Sequence, residues 1–222
     1  MSSKLNKSEC AIILGNGKSR LNIELPELVR TYGCNAIYRD QKVDDLIVVD
    51  PAIQHEIYSS GYVRKKRCWF ASWSPVHNSR EVKALMEFTL ADNIIQNKRT
   101  TDLCSIAGMG EKFYITWILD KDMVTNIGSI DKSSGEVAIE MAIKHKKKHI
   151  FMLGFDGRGN IYRGTDHYYD EDGPYDEWYD GHEYIYSKNT DITFYRVNCN
   201  MQESIMPNCL HIDNETFREL LL

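Results

Sequence analysis

Short runs of consecutive apolar residues, each closed by a glycine, an asparagine or an aspartate, recur along the chain and organise its reading. Cys10–Leu14 (CAIIL) runs into Gly15-Asn16-Gly17, residues 46–49 (LIVV) into Asp50-Pro51, and His149–Leu153 (HIFML) into Gly154-Phe155-Asp156. A strand that is apolar at every position must be covered on both faces, which is the situation of a parallel sheet flanked by helices. Between these runs the apolar spacing changes to a helical period. It does so in AIQHEIYSS after Pro51, in residues 80–97 (Val82, Leu85, Met86, Phe88, Leu90, Ile94, Ile95), and in SSGEVAIEMAIKHKKK from Ser133. The last of these opens on N-cap residues and closes on cations, both suited to helix ends. Alternation of strand and helix predicts an α/β fold, Rossmann-like, with a doubly wound and mainly parallel sheet.

Further elements are fainter. Residues 66–73 (KRCWFASW) and 113–119 (FYITWIL) are strand candidates, the latter within a hairpin, and a helix beginning near residues 188–191 and a strand at Cys209–Ile212 close the chain. Residues 158–180 are rich in glycine, aspartate and tyrosine and carry no apolar period, so they are expected to form a long irregular segment of the kind that serves as a lid. The organisation expected is one domain over residues 1–222, with a lid at about 157–186.

Bulk properties narrow the function classes. The chain has 222 residues, 42% hydrophobic and 27% charged, and no apolar stretch near the ~18 residues of a membrane span. A formal charge of −5 removes the overall basic footprint of a nucleic-acid binder. The basic runs at 64–67 and 144–149 are solvated element ends that allow peripheral membrane contact at most. Six cysteines without a C-x-x-C pair argue against a zinc ribbon and a dense disulfide framework. The opening MSSKLNKSEC has no apolar core of a secretory signal, so a cytoplasmic site is expected. No metal is expected either: the acidic lid lacks EF-hand spacing, and His145 and His149 lie among lysines that repel a cation.

In an open α/β sheet the ligand crevice lies outside the carboxyl ends of the strands. Gly15, Asn16, Gly17 and Ser19 follow one strand, Asn35 follows the stretch Tyr32-Gly33-Cys34, Asp50 follows another, and Gly154 and Asp156 follow a fourth, while Ser133, Ser134 and Gly135 start a helix. Glycines let a phosphate or ribose approach the backbone, and the amides of a helix start attract anions. The glycine turn is neither G-x-G-x-x-G nor a Walker A loop. The convergence predicts a nucleotide site.

These same residues resemble a family. Gly15-Asn16-Gly17-Lys18-Ser19 resembles the N-G-P-S loop of the single-domain bacterial sialyltransferases, Cys34-Asn35 their second asparagine, and Asp50-Pro51-Ala52 their Asn-Pro-Ser. Ser133-Ser134-Gly135 with its helix and residues 153–156 (LGFD) resemble their T-S-G helix and S-G-I-D segment, and residues 187–191 (SKNTD) their S-K-N-T-D. The likeness spans the chain apart from residues 64–123. A broader group with the same glycine loop includes pterin pyrophosphokinases and flagellin-modifying enzymes.

The resemblance implies inverting transfer of a sugar, of the sialic-acid type, from a CMP-linked donor to an acceptor hydroxyl, with no further cofactor. A histidine base takes the acceptor's proton, and tyrosines hold the departing phosphate. Tyr179-Asp180-Gly181-His182 has the pattern of the base motif, but residues 183–186 intervene before Ser187; His182 is the expected base, with His167 in reserve, and a gapless match would put Tyr186 there. Tyr162 resembles one phosphate-binding tyrosine and Arg158 stands in place of the other. Asp50, a carboxylate in place of an asparagine, can only accept hydrogen bonds. Two other readings stay open: an ATP-dependent pyrophosphokinase acting on a pterin-like molecule, and a non-catalytic nucleotide-sugar-binding protein. The sugar, the acceptor and any homo-oligomeric state are left undecided by the sequence.

Overall fold

The structure, a computed structural model, describes residues 4–71, 74–77, 94–95, 103–109, 112–117, 122–128, 130–156, 160–162, 176–199 and 203–222. In chain order its elements are β1 (Cys10–Leu14), β2 (Arg30–Cys34), β3 (Asp45–Val48), α1 (Pro51–Ser60), β4 (Arg67–Phe70), β5 (Ser74–His77), β6 (Ile94–Ile95), β7 (Leu103–Met109) and β8 (Lys112–Trp117). Then follow β9 (Val124–Asn126), α2 (Ser134–Lys144), β10 (His149–Leu153), α3 (Asp176–Lys188), β11 (Thr193–Val197), β12 (Cys209–Ile212) and α4 (Asn214–Leu221). They divide into two units, one made of Met1–Asp44 with Lys132–Leu222 and the other of Asp45–Asp131.

In the first unit five strands lie in the order β12-β11-β10-β1-β2, every neighbouring pair parallel. All five residues of β1 and the last four of β10 are buried, which is why the sequence needs an unbroken apolar run at each. Phe151 of β10 stacks on Tyr195 of β11 at 4.3 Å and meets Phe217 of α4 edge-on at 5.4 Å, so α4 closes over these strands. Helix α2 starts where the sequence placed it. The Ser133 hydroxyl accepts from the Glu136 amide, while the Glu136 carboxylate accepts from the Ser133 amide, a reciprocal cap that satisfies two otherwise orphaned donors. The unit is α/β and Rossmann-like, as the apolar pattern predicts.

One expectation is overturned here. The helix expected to begin near residues 188–191 ends there instead: α3 spans Asp176–Lys188, and the strand β11 follows. The cause lies in two asparagines. The Asn208 amide donates to the carbonyls of Tyr186, Asn189 and Ile192, and the Asn189 amide to that of Ile185, so the helix's terminal acceptors are captured and the chain turns. The irregular segment expected as far as Asp180 therefore gives way to helix at Asp176. Arg158, His167 and most of the expected lid lie outside the described residues.

In the second unit β3, β4 and β9 form a parallel set. A separate sheet has the order β5-β7-β8-β6; β7 and β8 make the expected antiparallel hairpin, and β6 runs parallel to β8. The helix expected over 80–97 meets a strand at Ile94–Ile95, and the rest of that stretch lies outside the described residues. Helix α1 has Pro51 at its start and Gly61 at φ 71° at its end, the asymmetry that proline and glycine favour. Among the described residues no helix is long and apolar enough to cross a membrane.

Candidate functional site

Strand order in the first unit reverses at the β1–β10 pair. From β1 the chain moves to β2 on one side, and from β10 to β11 and β12 on the other. The connections leaving these two strands therefore run to opposite sides of the sheet, the topology that in this class of fold marks the place of ligand sites. Here the two turns are also bonded together. The Gly15 amide donates to Leu153 O and the Gly17 amide to Gly154 O, both at 2.8 Å. Gly154 has φ 73°, a left-handed conformation, and a Cβ on Gly15 would lie 2.4 Å from its carbonyl oxygen.

Asp156 reaches back across this junction. Its Oδ2 accepts from the Ser19 amide at 2.7 Å, and a Cβ on Gly17 would fall 2.3 Å from that same oxygen. The other oxygen, Oδ1, is buried and has no hydrogen-bond partner among the described residues, in a residue only 8% exposed. A buried carboxylate oxygen without a donor costs free energy that a ligand hydroxyl or amine would recover.

After β2, Asn35 adopts φ 50° and starts a short 3-10 turn that runs to Arg39. The Ser134 hydroxyl, in the first turn of α2, donates to Asn35 Oδ1 at 2.6 Å. A Cβ on Gly135 would lie 2.9 Å from Phe155 Cε1 and 3.7 Å from His182 Nε2, which brings the start of α2, the residue before Asp156 and His182 into one neighbourhood. Gly181 has a similar function on the other side, since its Cβ would stand 2.2 Å from Glu136 Oε1 in the cap of α2. Glycine at 181 lets α3 approach the N-terminus of α2.

His182 lies on α3 and is 2% exposed, its ring tilted against Phe155 at 5.5 Å and Tyr186 at 6.3 Å. Neither ring nitrogen has a hydrogen-bond partner among the described residues. Burial, followed by the positive Arg196, pushes its pKa down to about 3, so the ring is neutral at physiological pH. Arg196, itself buried in β11, pairs with Glu183 at 3.3 Å and sits over the rings of Tyr179 at 5.3 Å and Tyr186 at 5.5 Å. Glu183 also accepts from Ser204 Oγ at 2.8 Å, and Tyr179 donates to Glu203 O at 2.9 Å.

Tyr162 is buried, and its hydroxyl donates to Asp40 and accepts from Arg20 Nη2 at 3.0 Å. Burial and the bond to Asp40 raise its pKa. Thus Gly15, Asn16, Gly17, Ser19, Gly154, Asp156 and Tyr162 come together around the strand-order reversal, while Asn35, Ser133, Ser134, Gly135 and His182 gather at the start of α2. Asp50 belongs to the second unit, where it occupies the N-cap position before Pro51. Arg20, Asp40, Phe155 and Arg196 were not singled out from the sequence. Only Arg196 carried a signal, as a lone cation in the strand TFYRV. Among the described residues no group of three or more His, Cys, Asp or Glu side chains could hold a metal ion.

The sheet order defines an α/β protein of the Rossmann-like class, with two turns bonded together at its strand-order reversal. No family model matches the sequence, and no curated protein does. Among solved structures the chain is similar to the monofunctional α-2,3-sialyltransferase Cst-I from Campylobacter jejuni. The identity is 14% and the TM-score 0.48, over 93% of this chain and 81% of that one.

Proposed function

We propose that the protein is a glycosyltransferase that moves a sugar, of the sialic-acid type, from a CMP-linked donor to an acceptor hydroxyl. The observation that carries this reading is Asp156: one oxygen fixed by the Ser19 amide, the other buried without a donor among the described residues, at the strand-order reversal and beside the glycine turn. Oδ1 would accept a hydroxyl or amine of the nucleoside. The first amides of α2 favour the anionic part of the donor. Cytidine as the nucleoside follows from the family resemblance of these same residues.

The transferred sugar leaves CMP as its bond to the phosphate breaks, and the acceptor oxygen attacks the opposite face while losing its proton to a base. A ring held near pKa 3 takes a proton poorly at neutral pH. His182 therefore acts as base only in a state where the donor's phosphate, close to the ring, raises its proton affinity. His167 is the other candidate, and substitution of each by asparagine separates them. The base variant abolishes transfer and leaves nucleotide affinity nearly intact.

Thermal shift with cytidine, CMP and CTP against AMP, GMP and ATP with magnesium tests the donor. A ligand at a hundred times its Kd adds about 2.7 kcal/mol of stability, and the cytidine nucleotides should give the larger shift. If only ATP with magnesium raises the melting temperature, a pyrophosphokinase replaces the transferase.

A further inference from the structure

We propose that Arg20, Asp40 and Tyr162 form a clasp that positions the glycine turn of the nucleotide site, and that Tyr162 acts there through this clasp instead of binding the donor's phosphate; the inference rests on the functional reading above. Arg20 is almost wholly buried next to the turn. Its Nε donates to Gly15 O at 3.0 Å, its Nη2 donates to both oxygens of Asp40 at 3.0 and 2.9 Å and to Tyr162 Oη at 3.0 Å, and its Cδ would lie 3.1 Å from a Cβ on Gly154. One guanidinium thus ties the turn after β1 to the end of the Asn35 turn and to residue 162.

Residues 160–162 add their own attachments. Asn160 bridges to Gly17, the Ile161 amide donates to Asn16 O at 2.8 Å, and the Arg39 guanidinium covers the Tyr162 ring at 5.3 Å. Asn160 and Ile161 are therefore held on the glycine turn itself, and Tyr162 on the arginine beside it.

The chemistry of the phenol decides its role. A tyrosine hydroxyl has one proton, and here it goes to Asp40 while a lone pair receives Arg20. What remains is acceptor capacity, which a phosphate oxygen cannot use. To donate to a phosphate, Tyr162 would have to release Asp40 and leave that carboxylate facing a second anion, an unfavourable pairing. A clasp that preorganises the turn, by contrast, favours any ligand that uses the turn, with or without a phosphate.

Comparison of cytidine with CMP distinguishes these roles. In calorimetric titrations Tyr162→Phe and Asp40→Asn should weaken both ligands by the same factor, about tenfold, which corresponds to ~1.4 kcal/mol. The double variant should lose clearly less than the sum of the two single losses, because both act on one bonded cluster around Arg20. Arg20→Lys keeps the charge but not the fork, and should likewise weaken both ligands equally. A loss confined to CMP in Tyr162→Phe would mean that the phenol touches the phosphate, and the clasp would be refuted. Variants that melt lower yet bind both ligands as the parent does would also overturn it. If the unaltered protein binds neither cytidine nor CMP, the functional reading itself falls and the clasp's role goes with it.

Discussion

Replacement of Gly17 by alanine separates two reasons for a glycine: backbone freedom and room for a neighbour. Gly17 has φ −76° and ψ 160°, a conformation open to any residue, so the cost must come from the added methyl alone. That methyl would stand 2.3 Å from Asp156 Oδ2 and 2.7 Å from Gly154 O. Neither atom yields easily, since the carboxylate holds the Ser19 amide and the carbonyl holds the Gly17 amide. Overpacking of this kind costs about 1–3 kcal/mol, and moving the carboxylate off Ser19 forfeits a charged hydrogen bond of ~1.5–3 kcal/mol. The two are alternative routes to relief, so the cheaper one sets the loss, about 1–3 kcal/mol. For a chain of this length that lowers Tm by roughly 2–12 °C. Gly128→Ala is the control: φ is 83° and no atom of the described residues lies within 4 Å of its Cβ, so its cost of about 1 kcal/mol is conformational. Calorimetric melting of both variants, with CMP titrations of each, is the assay. Gly17→Ala melting no lower than Gly128→Ala, with CMP affinity unchanged, would refute the close-approach account.

Acid should destabilise the protein through His182. Its folded pKa of about 3 lies below the 6.5 of an unfolded histidine, so the unfolded chain binds the extra proton. Stability is then complete above pH 6.5 and falls as pH drops toward 3, by up to about 1.4 kcal/mol per pH unit from this group. His55, His149 and His211 are shifted the same way by burial and add to the trend. Melting curves of His182→Asn should show a shallower acid limb, and an unchanged limb would contradict the assignment. Arg196→Met leaves Glu183 as a buried unpaired charge and should cost ~3–5 kcal/mol in urea unfolding, whereas Arg196→Met combined with Glu183→Leu should cost clearly less. Equal losses in the two would show that the pair is not coupled. Ser134→Ala removes the hydroxyl bonded to Asn35 and should cost about 1 kcal/mol, with weaker CMP binding as the second readout.

The parts of the fold legible in the sequence are those where burial on both faces leaves no choice of residue. CAIIL and HIFML had to be central strands, and Ser133 with Glu136 three residues later had to start a helix. The glycine turn and Asp156 were legible for the same reason, as breaks at the ends of such strands. Illegible was whatever depends on partners distant in sequence. The end of α3 is set by Asn208, twenty residues beyond Lys188 and part of another segment, so local propensity around 188–191 suggested the wrong sense. The amphipathic α4 went unnoticed because its eight residues are short and strongly charged. His182 looked like a lid residue in a polar sequence, yet Gly181 lets its helix press against the cap of α2 and bury the ring. Arg20 gave no sign of its burial, because its four acceptors come from Gly15, Asp40 and Tyr162, which meet only in the folded chain.

The first unit is assembled from two pieces of chain with the whole of Asp45–Asp131 between them. On the ribosome this imposes a timetable. Strand β1 emerges early and finds β2 close behind, but its other neighbour, β10, is made about 140 residues later, a wait on the order of ten seconds at usual elongation rates. Through that interval the nascent chain carries an apolar strand with one edge unpaired, the template that invites association with other chains. The intervening unit is complete before that edge is covered. Synthesis from the amino terminus thus favours an order in which the inserted piece settles first and the sheet that bears the site closes last.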